Sequence, residues 1–141
     1  MTREEIVTMI NGRREAFARR DAAALAAGHA KDGVLESPGA GGTVTGREAI
    51  AKIYREWFEG FPDVTMDWTE LVIDADRVVQ LGTVSGTDTG GFMGLAATGR
   101  RFCFPIALMF TLEGGLIAHE RRVYDFTGML VQIGVLKAKP A

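Results

Sequence analysis

The chain has 141 residues, 47% of them hydrophobic and 24% charged, a length and composition that exclude disorder and are read as a single domain over 1–141 with its own core. Sixteen Lys and Arg stand against 18 Asp and Glu, for a net charge of −2. That balance excludes the basic footprint of a nucleic-acid-binding surface, so no nucleic-acid partner is expected.

Thr2 and Glu5 form a capping box, and Ile6, Met9, Ile10, Arg13 and Phe17 follow at helical spacing, which predicts a helix over 3–19. Asp21 caps a short Ala-rich helix, 22–27, ended by Gly28. Residues 34–37 read as a short strand before the loop 38–42. Thr45 and Glu48 form a second capping box, and Ile50, Ile53, Tyr54, Trp57, Phe58 and Phe61 give the next helix one wide apolar face, closed by Gly60 and Pro62.

After Pro62 the period changes. Residues 64–73 and 78–87 read as strands joined by the turn Asp74-Ala75-Asp76. A glycine-rich loop with the apolar tip Phe92-Met93-Gly94-Leu95 spans 88–99. The strand 102–112 is apolar on both faces and is expected to be covered on both. Cys103, the one cysteine, cannot form a disulfide within the chain and reads as a small buried group in a reducing compartment. Glu113-Gly114-Gly115 is a hairpin turn, 116–125 the last strand, and Phe126, Met129, Leu130 and Ile133 a short closing helix. Residues 136–141 read as a flexible tail. Helices followed by a long antiparallel meander predict an α+β fold with the helices on one side of a curved sheet.

The start Met-Thr-Arg-Glu-Glu-Ile lacks the basic head and apolar stretch of a secretion signal, and the apolar run Phe102–Phe110 is too short to span a bilayer. A cytoplasmic protein without a membrane partner is expected. No metal-ligand spacing, P-loop, Gly-x-Ser-x-Gly or Gly-x-Gly-x-x-Gly element occurs.

Phe61-Pro62-Asp63, Gly86-Thr87-Asp88-Thr89-Gly90-Gly91-Phe92-Met93-Gly94, Thr98-Gly99-Arg100, Gly115-Leu116-Ile117 and Tyr124-Asp125-Phe126-Thr127-Gly128-Met129-Leu130-Val131-Gln132-Ile133-Gly134 occur in this order. With them the chain, from about residue 5 to 134, resembles the SnoaL-like polyketide cyclases (ester cyclases) of the NTF2-like superfamily. The resemblance implies a cone-shaped curved antiparallel sheet packed against N-terminal helices, a deep apolar pocket and a homodimer formed through the outer sheet face. It implies acid/base catalysis of aldol-type ring closure on a small apolar carbonyl substrate, with no metal and no organic cofactor. The family's aspartate at the end of the last strand matches Asp125. Where the family often has the histidine of Gly-Thr-His this chain has Asp88, and the histidine of the penultimate strand falls near Leu108. Relatives sharing the fold include limonene epoxide hydrolase, ketosteroid isomerase and scytalone dehydratase.

A base beside a carbonyl carbon and a donor for the enolate are what aldol chemistry needs. Asp125 shares strand parity with His119, Arg121 and Val123, so Asp125, His119 and Arg121 are the candidate acid/base group if that face lines the pocket. Asp125 equally reads as the N-cap of the closing helix, and His119 as a half-exposed residue. Of the adjacent Arg121 and Arg122 one faces inward, where pairing with a buried carboxylate would be structural. His29 reads as a solvated loop residue. Candidate pocket-lining groups are Tyr54, Trp57, Phe58, Phe61, Trp68, Phe92, Met93, Phe104 and Leu108. Epoxide hydrolysis would require Asp67 or Glu70 to face inward as a second carboxylate. A ketosteroid-isomerase-like enzyme and a non-catalytic, ligand-binding dimeric module complete the alternatives.

Overall fold

Thr2 starts the first helix as its sequence dictates. Its hydroxyl accepts from the Glu5 amide at 3.1 Å, and its own amide donates to Glu5 Oε2 at 2.8 Å. This helix is α1, Arg3–Ala18, in a computed structural model that describes residues 1–137; the rest of the expected tail, 138–141, lies outside the described residues. Asp21 caps α2, Ala22–Ala27, through the Ala24 amide. Strand β1, His29–Ser37, a 3₁₀ turn over Pro38–Ala40 and β2, Gly42–Thr45, lead to α3, Arg47–Gly60. Strands β3, Thr65–Asp74, β4, Arg77–Thr87, β5, Arg101–Glu113, and β6, Leu116–Tyr124, form the meander, and α4, Phe126–Gln132, closes it.

Two local expectations are corrected. Strand β1 begins at His29, not near Val34, because its first half is recruited by parallel pairing with β6. Thr45 does not cap α3, because it is already paired with Val34 in β2. Gly46, at φ +94°, makes the turn into the helix instead, with no side-chain cap.

The six strands form one sheet in the order β2-β1-β6-β5-β4-β3, with β1 and β6 parallel and every other neighbour antiparallel. The helices supply apolar faces, among them Ile6 and Ile10 of α1 and Ile50, Tyr54 and Trp57 of α3, to the sheet's inner side. In β5 the even positions from Phe102 to Leu112 are all buried. The odd positions are not covered as expected: Cys103 and Pro105 are exposed and Ala107 and Met109 half-exposed, because no layer of the described residues covers that face of the strand. Cys103 nevertheless anchors α4, since its backbone exchanges two hydrogen bonds with the Gln132 side chain.

A β-bulge decides which residues of β6 face inward. Thr111 pairs with His119 but Leu112 pairs with Ile117, leaving Ala118 unmatched. The inward set therefore steps from Ile117 to Glu120 and Arg122, with His119, Arg121 and Val123 turned outward. Strand β3 has a similar irregularity after Trp68. There Gly82 of β4 lies directly beneath, and a Cβ on it would sit 2.9 Å from the Trp68 ring and 2.6 Å from the Asp67 carbonyl oxygen. The missing side chain leaves room for the indole close to the β4 backbone.

Candidate functional site

The bulge turns a carboxylate into the core. Glu120 is fully buried, and four side chains contact or approach it. Tyr54 Oη donates to it at 2.8 and 3.0 Å, and Arg122 Nε donates at 2.8 Å. His29 Nε2 lies 2.9 Å away, and Arg13 Nη2 approaches to 3.5 Å while donating to Tyr54 Oη at 2.8 Å. The other ring nitrogen of His29 faces the Leu25 carbonyl oxygen at 3.1 Å. Arg122 also stacks over the Tyr54 ring at 4.7 Å, and Arg13 over Phe110 at 5.1 Å.

Burial by itself would push the Glu120 carboxyl up. The Arg122 guanidinium, the His29 hydrogen bond and Arg13 outweigh it and hold the group far below the usual carboxylate range. Tyr54 moves the opposite way, raised first by burial and then by the neighbouring Glu120 charge, and so stays a neutral hydroxyl. Glu120 is thus an anionic anchor that fixes two arginines and a tyrosine, and is ill suited to carry a proton near neutrality.

The arginines and the tyrosine reach past this anchor into a narrow cavity of about 40 Å³. Leu25, Trp57, Ile106, Leu108 and Phe110 give it apolar walls, and Phe17, Met66 and Trp68 are partly exposed around it. Arg13, Arg14, Tyr54, Gln80 and Arg122 are its polar lining. At that size it has room for only a few water molecules. No Asp, Glu or His lines it among the described residues, and no cluster of three or more metal-ligating side chains occurs among them.

Of the expected lining, Tyr54, Trp57, Trp68 and Leu108 meet at this cavity, with Phe58 buried beside Tyr54. Phe61, Phe92 and Phe104 pack elsewhere, in an aromatic cluster with Phe102 and Tyr124 that fills the other end of the cone. Met93 is 55% exposed at the tip of its loop, whose base is tied by the buried Asp88 accepting from Gly91 and Thr98.

The expected acid/base group lies outside the cavity. Asp125 is exposed and accepts from the Gly128 amide at 2.9 Å as the N-cap of α4. His119 and Arg121 are on the outer sheet face, both against Glu36. Strand parity does group these residues, but the bulge at Ala118 puts that parity outside. Asp67 and Glu70 are exposed on β3, so no second carboxylate reaches the cavity from that strand. His29, expected in a solvated loop, is fully buried. Arg122 is the inward arginine, paired with a buried carboxylate.

Arg13, Arg14, Gln80 and Glu120 were not singled out from sequence, although two of them left a trace. Arg13 falls within the apolar spacing of α1, and Gln80 occupies the buried parity of β4 between Val78 and Gly82. Replacing Asp125 by alanine should cost about 1 kcal/mol, the worth of a lost N-cap. Asp125→Asn should cost only a few tenths, and thermal unfolding of the two variants measures the difference.

A family model described as SnoaL-like polyketide cyclase matches residues 8–133. Among solved structures, TsrD from Streptomyces laurentii is 25% identical with a TM-score of 0.83, covering 96% of this chain and 99% of that one. IdmH from Streptomyces antibioticus, a proposed polyketide cyclase, is 29% identical with a TM-score of 0.73, over 91% and 97% of the two chains. A protein from Catenulispora acidiphila with a ketosteroid isomerase-like fold is 22% identical, with a TM-score of 0.78 over 99% and 100%, a likeness of fold. No curated protein matches the chain. No helix among the described residues is long and apolar enough to cross a membrane.

Proposed function

Because the chain belongs to the SnoaL-like polyketide cyclase family, we propose that its cavity takes an apolar, enolisable carbonyl compound and promotes aldol-type ring closure. The observation that carries this reading is the trio Arg13, Tyr54 and Arg122, held by one buried carboxylate at the wall of a cavity that is apolar apart from them, Arg14 and Gln80. When a carbon acid loses its proton, charge moves onto the carbonyl oxygen. Fixed guanidinium donors in a dry, apolar surrounding stabilise that oxygen far better than they would in water. Glu120 keeps them in place before the substrate arrives, so no reorganisation is needed as the charge develops. A C–H flanked by two carbonyls is acidic enough for water to remove its proton once the enolate is held.

A second reading, a binding module without turnover, is favoured by the lack of any Asp, Glu or His among the described cavity-lining residues. The two separate on a panel of polyketide-like β-keto esters assayed with wild type, Arg122→Lys and Asp125→Asn. Arg122→Lys keeps the charge but not the Nε bond to Glu120. Turnover that falls about a hundredfold in Arg122→Lys, worth about 2.7 kcal/mol, and is unchanged in Asp125→Asn is the expected result. Saturable binding without turnover by wild type would favour the module. Turnover lost in Asp125→Asn at unchanged melting temperature would return the acid/base role to Asp125.

A further inference from the structure

Two polar side chains in the cavity wall each carry a nitrogen that is sealed from solvent and has no partner among the described residues. Gln80 is 2% exposed, yet its amide makes no hydrogen bond among the described residues and its Nε2 is sealed from solvent. Arg14 Nε is sealed and unpartnered in the same way. Its guanidinium lies 5.8 Å over the Trp68 ring and has no carboxylate within 4 Å among the described residues. Arg13 and Arg122, by contrast, share Glu120. Buried polar groups are nearly always paired, and leaving one unpaired costs stability, so an orphan facing a cavity is explained when a ligand supplies the partner. Here one orphan is a cation and the other an amide that can pair with a carbonyl or a hydroxyl. Both line the same cavity.

We infer that the cavity's ligand is a flat apolar acid, whose ionised oxygen pairs with Arg14 and whose second, carbonyl or hydroxyl oxygen pairs with the Gln80 amide. This rests on the cavity being the binding site and narrows the carbonyl compound proposed above to an anionic one. Arg14 and Trp68 are both partly exposed, and stacked together they cover one side of the cavity. Entry of a bicyclic acid into so small a space parts that stack, as the guanidinium leaves the indole for the anion. Arg13 and Arg122 line the same cavity and add positive potential there, only partly offset by Glu120.

The test is equilibrium titration, followed by tryptophan fluorescence and calorimetry, of wild type, Arg14→Met and Gln80→Leu. The probes are 2-naphthoate, methyl 2-naphthoate and 6-hydroxy-2-naphthoate. Wild type should bind 2-naphthoate at least about 10-fold more tightly than its ester, the least expected of a charge-assisted pair, and Arg14→Met should abolish that preference. The hydroxy acid should bind more tightly than the parent acid, and Gln80→Leu should remove that gain while raising the melting temperature. Equal binding of acid and ester by wild type, a preference that survives Arg14→Met, or no binding of any probe overturns the inference. So does a hydroxyl gain that is absent or survives Gln80→Leu. Because the readout is binding, a preferred acid with no turnover leaves this inference standing and counts against the enzyme. Turnover of neutral esters with no preference for acids does the reverse.

Discussion

Replacing Glu120 by glutamine should destabilise the fold by about 3–5 kcal/mol, lowering the melting temperature by roughly 10–20 °C. The side chain is fully buried with Arg122, Tyr54 and His29 bonded to it and Arg13 at 3.5 Å. Glutamine keeps the shape but removes the charge that both guanidinium groups face, leaving them desolvated without a counter-ion. The double variant Glu120→Leu/Arg122→Met should lose less than the sum of its single changes, because it removes one charge of each sign together. The same group sets an acid limit. Its folded pKa lies far below the ordinary 4.5, so its contribution is fully present above about pH 4.5 and is lost as pH falls toward the folded value. Urea midpoints of wild type should therefore drop between pH 5 and 3 more steeply than those of Glu120→Gln. Parallel curves for the two proteins would refute the anchor role.

Phe61→Ala should cost about 3–5 kcal/mol, the range for truncating a fully buried phenylalanine. Its ring centroid lies 4.7 Å from that of Phe102, 4.9 Å from Phe92 and 5.4 Å from Trp57, so the cavity it leaves is walled by rigid rings that cannot collapse into it. At a temperature where the variant remains folded, probe affinity at the Arg14 and Gln80 wall should fall by much less than the stability does, because Phe61 reaches the cavity only through Trp57, which packs on it and forms one of the cavity's walls. Chemical denaturation and the naphthoate titration together check both halves. A loss of affinity matching the loss of stability would mean that the aromatic end and the cavity form one site.

Sequence spacing carried most of the fold. The apolar face of α3, the even positions of β5, the Thr2 box and the turn at Gly114 and Gly115 are all local patterns, and each formed as read. The site was less legible, for reasons of range. His29 sits in a polar stretch and is buried because β1 pairs in parallel with a strand some ninety residues later. His119-Glu120-Arg121-Arg122 reads as a charged, solvated run unless the unmatched Ala118 is known, and an unmatched residue has no composition of its own. In sequence every large aromatic residue looks like lining, and size alone cannot tell the packed cluster around Phe61 from the wall beside Trp68. The polar members were findable in part. An arginine on the stripe of α1 and a glutamine on the buried parity of β4 are both out of place in a core, and a residue out of place is the kind of signal a binding site leaves.

The unmatched Ala118 also bears on how such a fold can change its chemistry. Strand β6 carries two interleaved alphabets, Glu120 and Arg122 on one face and His119, Arg121 and Val123 on the other. Strict alternation from Ile117 with no bulge would bring His119 and Arg121 inward and turn Glu120 and Arg122 out, with every side chain of the strand unchanged. Descent within a family of this architecture can therefore exchange an interior carboxylate for an interior imidazole by losing the bulge at constant length, so aligned columns on this strand need not share a face.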